Sequence, residues 1–397
     1  MASIGVSANG RYFLDDKRKP FFWLGDTQWE LFRCFSPADA QAVLERRQSQ
    51  GFSAIQIMVT GVGEGIEPNA AGDTPWVANN PASPNEAYFA NVDRVVQAAG
   101  DCGLILILGV YHKRQRDRIT TANARAYARW VAGRYRDVPH VVWTSYPEAK
   151  PEYVPVLREL AAGLQEGDAS AHLITCHPDP SPASSSFIHD EPWLAFNQMQ
   201  PWHRYELIYP MMVADYRRTP PKPVVMAEGG YEGFHHGQDQ GPLLMRQQAY
   251  WSYLAGGWHS YGHNDNWASP ATWRSWIDAP GALHLGVCRK ILTSLRHWWT
   301  LVPDQSLFAA GEGSGVTLNV AACSPSVGWV LVYLSTNTTI ALKMDALPRG
   351  RSVRASWIDL TTGERTGIGT YPTTGMREFA PPRGWEDALL LLEPLRG

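Results

Sequence analysis

Two glutamates in this chain stand where a strand-like run ends, a position from which a side chain can do chemistry. Glu228 ends the apolar run of "KPVVMAEGGYEG" (222 to 233), and Glu148 follows "HVVWTSY" (140 to 146) by two residues. The paired glycines after Glu228 predict a backbone that turns closely around the acid and leaves room for a ligand. A lone glutamate after a strand is more often a helix cap or a surface charge, and Glu148, with Lys150 nearby, fits that description more closely.

Two carboxyl groups on opposite sides of one cleft can cleave a glycosidic bond. One gives its proton to the leaving oxygen, and the other, ionised, attacks the anomeric carbon or activates water. Burial raises one carboxyl pKa while hydrogen-bond donors keep the other low. If the mechanism is retaining, the two carboxyl carbons should lie about 5 to 5.5 Å apart, against roughly 6.5 to 9.5 Å for inversion. A larger separation would turn attention from Glu148 to Asp179 or Asp26.

The elements that must position these acids alternate between short apolar segments and segments of helical periodicity. The predicted strands are residues 20–27, 53–60, 104–111, 140–146, 172–178, 193–200, 222–228 and 258–264. A typical helix between them starts at a Ser36 cap and ends at Gly51. This alternation predicts an α/β fold, a (β/α)₈ TIM barrel over residues 1–302. A doubly wound open sheet is the competing architecture, but no GxGxxG or GxxxxGK[ST] motif follows an early strand.

The periodicity changes after the barrel. From about residue 303 the apolar segments are short and separated by Gly, Pro, Ser and Thr, which is typical of strands joined by turns. The sequence therefore predicts a small all-β sandwich over residues 303–397.

Further polar and aromatic side chains follow the predicted barrel strands, at the end where barrel loops form a cleft. The predicted substrate-binding residues are Asp26, Trp29, His112, His177, Gln198, Trp202, Tyr231 and His263. Trp29 and Trp202 are expected to stack on sugar rings, because flat rings with a polar edge suit the apolar faces of sugars. The histidines lack HExxH-like spacing, so no metal is predicted. No cofactor follows from carboxylate chemistry either.

The composition limits the classes of partner that the protein is expected to bind. Of 397 residues, 44% are apolar and 18% charged, and a net charge of −3 with scattered Lys and Arg argues against nucleic acid. No window reaches the 18 or so apolar residues of a membrane span, and the N-terminus does not resemble a signal peptide. The five cysteines are far apart and suggest no disulfide framework. A cytoplasmic protein is expected, or a secreted or periplasmic one if a leader has been removed; the oligomeric state stays open.

Several segments resemble one known family. They are "PFFWLGDTQWELF", "RRQSQGFSAIQIM", "PNEAYFANVDRVVQAAGDCGL", "KPVVMAEGGYEG" and "RQQAYWSYLAGGWHSYGHNDNW". Together they look like the apiosidase-like glycoside hydrolases, in which a (β/α)₈ barrel precedes a β-sandwich described as collagen-binding. The segment "SWIDLTTGERTGIG" is similar to the W-x-x-P-x-T-G pattern of that sandwich.

The resemblance implies retaining hydrolysis, with the glutamate of strand seven as nucleophile and an acid after strand four as proton donor. The nucleophile falls on Glu228. The acid falls on Glu148, where family members have Asp, and Tyr146 and Pro147 replace two glycines. The expected function is an exo-acting hydrolase of a plant or microbial glycoside. The alternative is a carbohydrate-binding protein that kept the barrel and lost turnover.

Overall fold

The chain begins with a small antiparallel sheet and continues into a parallel one. The computed structural model describes residues 3–237, 239–265, 267, 270–348 and 350–395. The small sheet contains β1 (Ile4–Val6), β2 (Phe13–Asp15) and β3 (Pro20–Phe21). The parallel sheet contains β4 (Leu24–Thr27), β5 (Ala54–Met58), β6 (Ile105–His112), β7 (Val141–Tyr146), β8 (Asn197–Met199), β9 (Val224–Met226) and β10 (Trp258–Tyr261). Its order is β7-β6-β5-β4-β10-β9-β8, so the first and last barrel strands are neighbours.

The fifth predicted strand closes this sheet without forming a regular strand. Ile174 makes a parallel bridge to Trp143 of β7 on one side and to Leu194, just before β8, on the other. The hydroxyl of Thr175 donates to the carbonyl of Phe196 at 2.8 Å, so a side chain supplies part of the pairing. Closure through this segment confirms the predicted (β/α)₈ architecture and shows that its fifth position is irregular.

Helices surround the sheet. They are α1 (Leu31–Cys34), α2 (Pro37–Gln50), α3 (Glu86–Asp101), α4 (Ala124–Arg134), α5 (Val154–Asp168), α6 (Ser185–Ile188), α7 (Ile208–Tyr216), α8 (Pro242–Leu254), α9 (Trp273–Trp276) and α10 (Pro280–Thr293). The predicted ends of α2 are confirmed: Ser36 accepts from the Asp39 amide at 3.1 Å, and Gly51 ends the helix with φ at 96°. In the described part of the chain, no helix is long and apolar enough to cross a membrane.

The remainder forms two antiparallel sheets. Their strands are β11 (Val302–Pro303), β12 (Phe308–Ala310), β13 (Val320–Cys323), β14 (Val330–Leu334), β15 (Ile340–Lys343), β16 (Ser352–Ile358), β17 (Arg365–Pro372), β18 (Met376–Phe379) and β19 (Ala388–Pro394). One sheet has the order β11-β13-β14-β19-β16-β17 and the other β12-β15-β18. This arrangement confirms the predicted β-sandwich, while the boundary at residue 302 stays a prediction.

Helix α8 of the barrel packs against the sandwich. Arg246 of α8 pairs with Asp387 at 2.7 Å, and both side chains are almost fully enclosed. Tyr333 of the sandwich donates its hydroxyl to the same carboxylate at 3.0 Å and stacks on Tyr250 with ring centroids 4.8 Å apart. A buried ion pair is stable only when its remaining hydrogen-bonding positions are filled, as they are here.

A second buried ion pair lies beneath the mouth of the barrel. Arg47 of α2 donates from Nε to Asp26 of β4 at 2.6 Å, and neither side chain is exposed to solvent. Its Nη1 also donates to the Ile277 carbonyl and to Gln50, each at 2.7 Å. One guanidinium thus connects the first barrel strand, its helix and the segment that precedes α10.

Arg47→Met should destabilise the protein by about 3 to 5 kcal/mol, because it removes the cation from the buried Asp26 carboxylate. The neighbouring pair of Arg46 and Asp278 has a similar 2.6 Å contact but is half exposed. Arg46→Met should therefore cost less than about 1 kcal/mol. Urea unfolding followed by circular dichroism measures both variants. Equal midpoints for the two would show that the buried pair is not a specific support of the barrel.

Candidate active site

A cleft of about 660 Å³ opens at the carboxyl ends of the barrel strands. Its aromatic lining includes Trp29, Tyr146, Trp202 and Tyr231, and its carboxylates are Glu30, Glu67, Asp179 and Glu228. This volume is in the range of small-molecule sites. Among the described residues, no group of three or more His, Cys, Asp or Glu side chains is arranged to hold a metal ion.

Glu228 lies at the base of the cleft, two residues beyond β9, and is 7% exposed. The Tyr146 hydroxyl lies 3.1 Å from its Oε2, and Tyr231 also hydrogen-bonds the carboxyl group. The same Tyr146 oxygen lies 2.8 Å from Oε1 of Gln200, so its one proton serves either acceptor at a time. Glu228 is therefore held by hydroxyl groups from the end of β7 and from the loop after β9.

These surroundings act on the pKa of Glu228 in opposite directions. Burial raises the pKa to about 7, because a carboxylate loses hydration away from water. The hydrogen bonds from Tyr231 and Tyr146 lower it, since they stabilise the ionised form, while the negative charge of Asp179 raises it. Near neutral pH the group therefore exchanges between the acid and the carboxylate, and the tyrosines favour the carboxylate.

His177 supports this arrangement from behind. Its Nε2 lies 3.4 Å from Oε2 of Glu228, and the ring has no exposed surface. It packs edge-on to Trp29 with centroids 5.2 Å apart and lies 4.3 Å from the ring of Tyr146. Burial lowers the pKa of His177 to about 3, so the imidazole is neutral. Neither ring nitrogen has a hydrogen-bond partner among the described residues, so His177 supports Glu228 by packing and by proximity.

The glycines after Glu228 serve a purpose other than the predicted one. A Cβ on Gly229 would come 2.0 Å from Oε1 of Gln248, and one on Gly230 would come 2.5 Å from Oε1 of Gln240. Gln248 of α8 also accepts from the Gly230 amide at 2.8 Å. The prediction of space for a ligand is thus corrected: these glycines let helix α8 and the loop pack against the strand end.

The structure brings four of the predicted substrate-binding residues to the cleft: Trp29, His112, Trp202 and Tyr231. His112 is neutral because burial, followed by the charges of Arg114 and Lys113, lowers its pKa to about 4. Trp202 is 44% exposed and adopts a left-handed φ of 52°, a conformation that costs energy in a residue other than glycine. Its amide lies 3.5 Å from the carbonyl oxygen of Glu228, which ties this ring to the same strand end.

The other four lie behind this surface: Asp26, His177, Gln198 and His263. Asp26 and Gln198 are fully enclosed, and they bond Arg47 and Gln56 respectively. A sugar hydroxyl cannot reach either side chain, so their predicted role as sugar ligands is corrected to a structural one. His263 stacks against a tryptophan of α9, with centroids 5.7 Å apart.

The two candidates for a second carboxyl group lie side by side at the edge of β7. Glu148 forms an ion pair with Lys150, and the hydrogen bond from this lysine lowers the pKa of Glu148. Asp179 forms an ion pair with Lys113, and its amide donates to the Pro147 carbonyl at 2.8 Å. Of these two acids, Asp179 lines the cleft and Glu148 is outside the residues that enclose it.

Sequence reasoning missed two contacts of the central carboxyl group, Tyr146 and Gln200. The signal was the alternation of side chains along a strand. Thr144 and Gln198 meet inside the barrel at 3.3 Å, so the residues two positions further along each segment point to the next layer, at the cleft. Tyr146 and Gln200 are those residues.

Comparison with known proteins agrees with this architecture. The family model "Apiosidase-like, catalytic domain" matches residues 7–300, and the model "Putative collagen-binding domain of a collagenase" matches residues 302–393. A search of curated proteins found no match.

Two similar solved structures share the fold over nearly the whole chain. One is described as a glycoside hydrolase, with a TM-score of 0.90, 23% identity, and coverage of 99% of this chain and 97% of that one. The other is a glycoside hydrolase family 5 protein from Bacteroides vulgatus ATCC 8482, with the same TM-score and identity and coverage of 99% and 93%. The catalytic-domain model matches well over half of this chain, so the chain belongs to the apiosidase-like family. Membership of this family supports glycosidase activity.

Proposed function

We propose that the protein is a retaining glycoside hydrolase that acts exo on a plant or microbial glycoside, with Glu228 as the nucleophile. The observation that carries this proposal is the fixed carboxyl group at the base of the cleft, with two tyrosine hydroxyls bonded to it. A nucleophile must be ionised and aimed at the anomeric carbon before the substrate reacts. Tyr146 and Tyr231 meet both needs, because they stabilise the charge and fix its direction.

The reaction then takes two steps. A Glu228 oxygen attacks the anomeric carbon while a second carboxyl group gives its proton to the leaving oxygen. In the second step this group, now ionised, takes a proton from water. The water oxygen bonds the anomeric carbon as the ester bond to Glu228 breaks, which releases the sugar with its original configuration. The sequence predicts Glu148 for the second role, and Asp179 lies at the same edge of β7.

The volume and lining of the cleft favour a carbohydrate substrate whose chain end enters the cleft. A volume of about 660 Å³ suits a small glycoside more than a long stretch of polymer, which favours exo action. Trp29, Trp202 and Trp267 line this space. Trp202 is 44% exposed and can offer a flat apolar face to a sugar ring, whereas Trp29 is buried and holds the Tyr231 hydroxyl through its N–H group at 2.8 Å.

One observation favours the alternative of a carbohydrate-binding protein without turnover. The hydrogen bond from Lys150 lowers the pKa of Glu148, whereas a glycosidase proton donor has a raised pKa. A panel of pyranoside and furanoside aryl glycosides separates the two functions. Sugar binding in calorimetry together with no aryl release from any member of the panel would favour the binding protein.

Glu228→Gln should abolish hydrolysis of aryl glycosides and leave the fold intact, because the amide has the same shape and no nucleophilic charge. Glu206→Gln, at an exposed acid paired with Arg204, is the matched control and should keep full activity. Adding azide to Glu228→Ala should restore product as a glycosyl azide of inverted configuration. Melting temperatures and aryl release measure both effects. Substantial activity in folded Glu228→Gln would remove this residue as the nucleophile.

The value of kcat/KM should fall as pH drops below about 7, because the nucleophile must be ionised and burial raises the pKa of Glu228 to about 7. Tyr146→Phe removes a donor to the carboxylate, so the acidic limb should move to higher pH. Tyr127→Phe is the control: this tyrosine is enclosed elsewhere in the barrel and its hydroxyl has no hydrogen-bond partner among the described residues. Loss of activity above about pH 7 would instead make Glu228 the proton donor.

A further inference from the structure

Two of the four cleft carboxylates are already committed to the local backbone and its neighbours. Glu30 is almost fully enclosed, pairs with Arg33 at 2.6 Å and accepts from the Val62 amide at 2.9 Å. Glu67 accepts from the amides of Gly65 and of the next residue, each at 3.1 Å. These bonds occupy the oxygens of both groups and fix the loops that carry them, so neither group is free to approach a substrate.

Asp179 is placed differently. Its side chain is about a quarter exposed in the cleft, and its charge acts on Glu228 across that space. Oδ2 contacts Lys113, while Oδ1 has no hydrogen-bond partner among the described residues. The bond from its amide to the Pro147 carbonyl holds its backbone directly beside the chain position that precedes Glu148. An acid is thus present at the predicted edge of the cleft, but it comes from the neighbouring segment.

Glu148 turns away from this position. Its carboxylate bonds Lys150 two residues later, and the backbone closes a tight turn in which the Lys150 amide donates to the Glu148 carbonyl at 2.8 Å. Tyr146 and Pro147, which precede Glu148, are bulkier and stiffer than glycines. The ring of Tyr146 instead fills the space next to Glu228, where it donates its hydroxyl.

We propose that Asp179, and not Glu148, is the general acid/base opposite Glu228, and that Lys113 positions it. This inference rests on the proposed retaining hydrolysis. In the first step Asp179 transfers its proton to the leaving oxygen as the glycosidic bond breaks and Glu228 bonds the anomeric carbon. In the second, the Asp179 carboxylate takes a proton from water, the water oxygen bonds the anomeric carbon, and the ester to Glu228 breaks.

The contacts of Asp179 suit both halves of this cycle. Its side chain lines the cleft and is partly exposed, so a glycosidic oxygen or a water molecule can approach it. Lys113 contacts Oδ2 and so fixes the orientation of the carboxyl group, which leaves Oδ1 for the proton transfers.

The first experiment compares Asp179→Asn with Glu148→Gln on aryl glycosides of increasing leaving-group basicity, with and without azide. Asp179→Asn should lose about 10²- to 10⁴-fold on poor leaving groups and much less on dinitrophenyl glycosides, which need little protonation. Azide should restore its turnover and give a glycosyl azide of retained configuration, because the anion attacks the glycosyl-enzyme where the base is missing. Azide rescue of Glu148→Gln alone would overturn the proposal.

The second experiment uses the two lysines, and it holds even if Asp179→Asn folds poorly. Lys113→Met removes the contact that holds the Asp179 carboxyl group, so turnover should fall much more on poor leaving groups than on dinitrophenyl glycosides. Lys150→Met, the matched control beside Glu148, should leave the ratio of the two rates unchanged. A change of this ratio in Lys150→Met without one in Lys113→Met would assign the proton donor to Glu148.

The experiments separate an error in the retaining hydrolysis from an error in the role of Asp179. If the wild-type protein hydrolyses no member of the panel, or if folded Glu228→Gln stays active, the retaining hydrolysis is wrong and the role of Asp179 is lost with it. If the wild-type protein is active, Glu228→Gln is inactive and azide acts only on Glu148→Gln, the hydrolase stands and only the assignment of Asp179 is wrong.

Discussion

A carboxyl group held away from water must be compensated by donors that the fold fixes in advance, and this requirement organises the mouth of the barrel. Glu228 receives its contacts from four places: Tyr146 at the end of β7, His177 in the segment that closes the sheet, Gln200 just after β8, and Tyr231 in the loop after β9. Each contact depends on strands that are distant in sequence and adjacent in space. The irregular closure at Ile174 is therefore part of the site, since it brings His177 to the back of the carboxyl group.

The role of an acid at a strand end depends on the groups that contact it. Asp26 and Glu228 both follow apolar runs and both are buried, yet Asp26 lies against the guanidinium of Arg47 and Glu228 lies against hydroxyl groups. A guanidinium that is enclosed together with its carboxylate leaves a substrate no access to either group, which makes a structural link. Neutral donors at the base of an open cleft leave the charge available to a substrate. For these two buried acids, the nature of the neighbour distinguishes the two roles.

A related difference separates the features that local sequence patterns predict from those that only the folded structure shows. Strand and helix alternation, the cap of α2 and the strand-end position of Glu228 follow from local patterns, and the fold was predictable from them. The irregular fifth strand, the enclosure of Asp26 and the ion pair of Lys113 with Asp179 depend on residues brought together only by folding. The glycines after Glu228 are an example. The sequence indicates that the backbone there needs room beside it, and only the packing shows that Gln248 fills the space next to Gly229.

Helix α8 gives the sandwich a part in the same site. Two consecutive residues, Arg246 and Gln247, bond the sandwich, and the next, Gln248, bonds the backbone of Gly230 two positions after Glu228. A single helix turn thus separates the surface of the sandwich from the strand end that carries Glu228. Recombination that exchanged the sandwich for an unrelated module would disturb the register of that turn. The two domains should consequently be inherited as one unit, with α8 changing in step with the sandwich surface that it contacts.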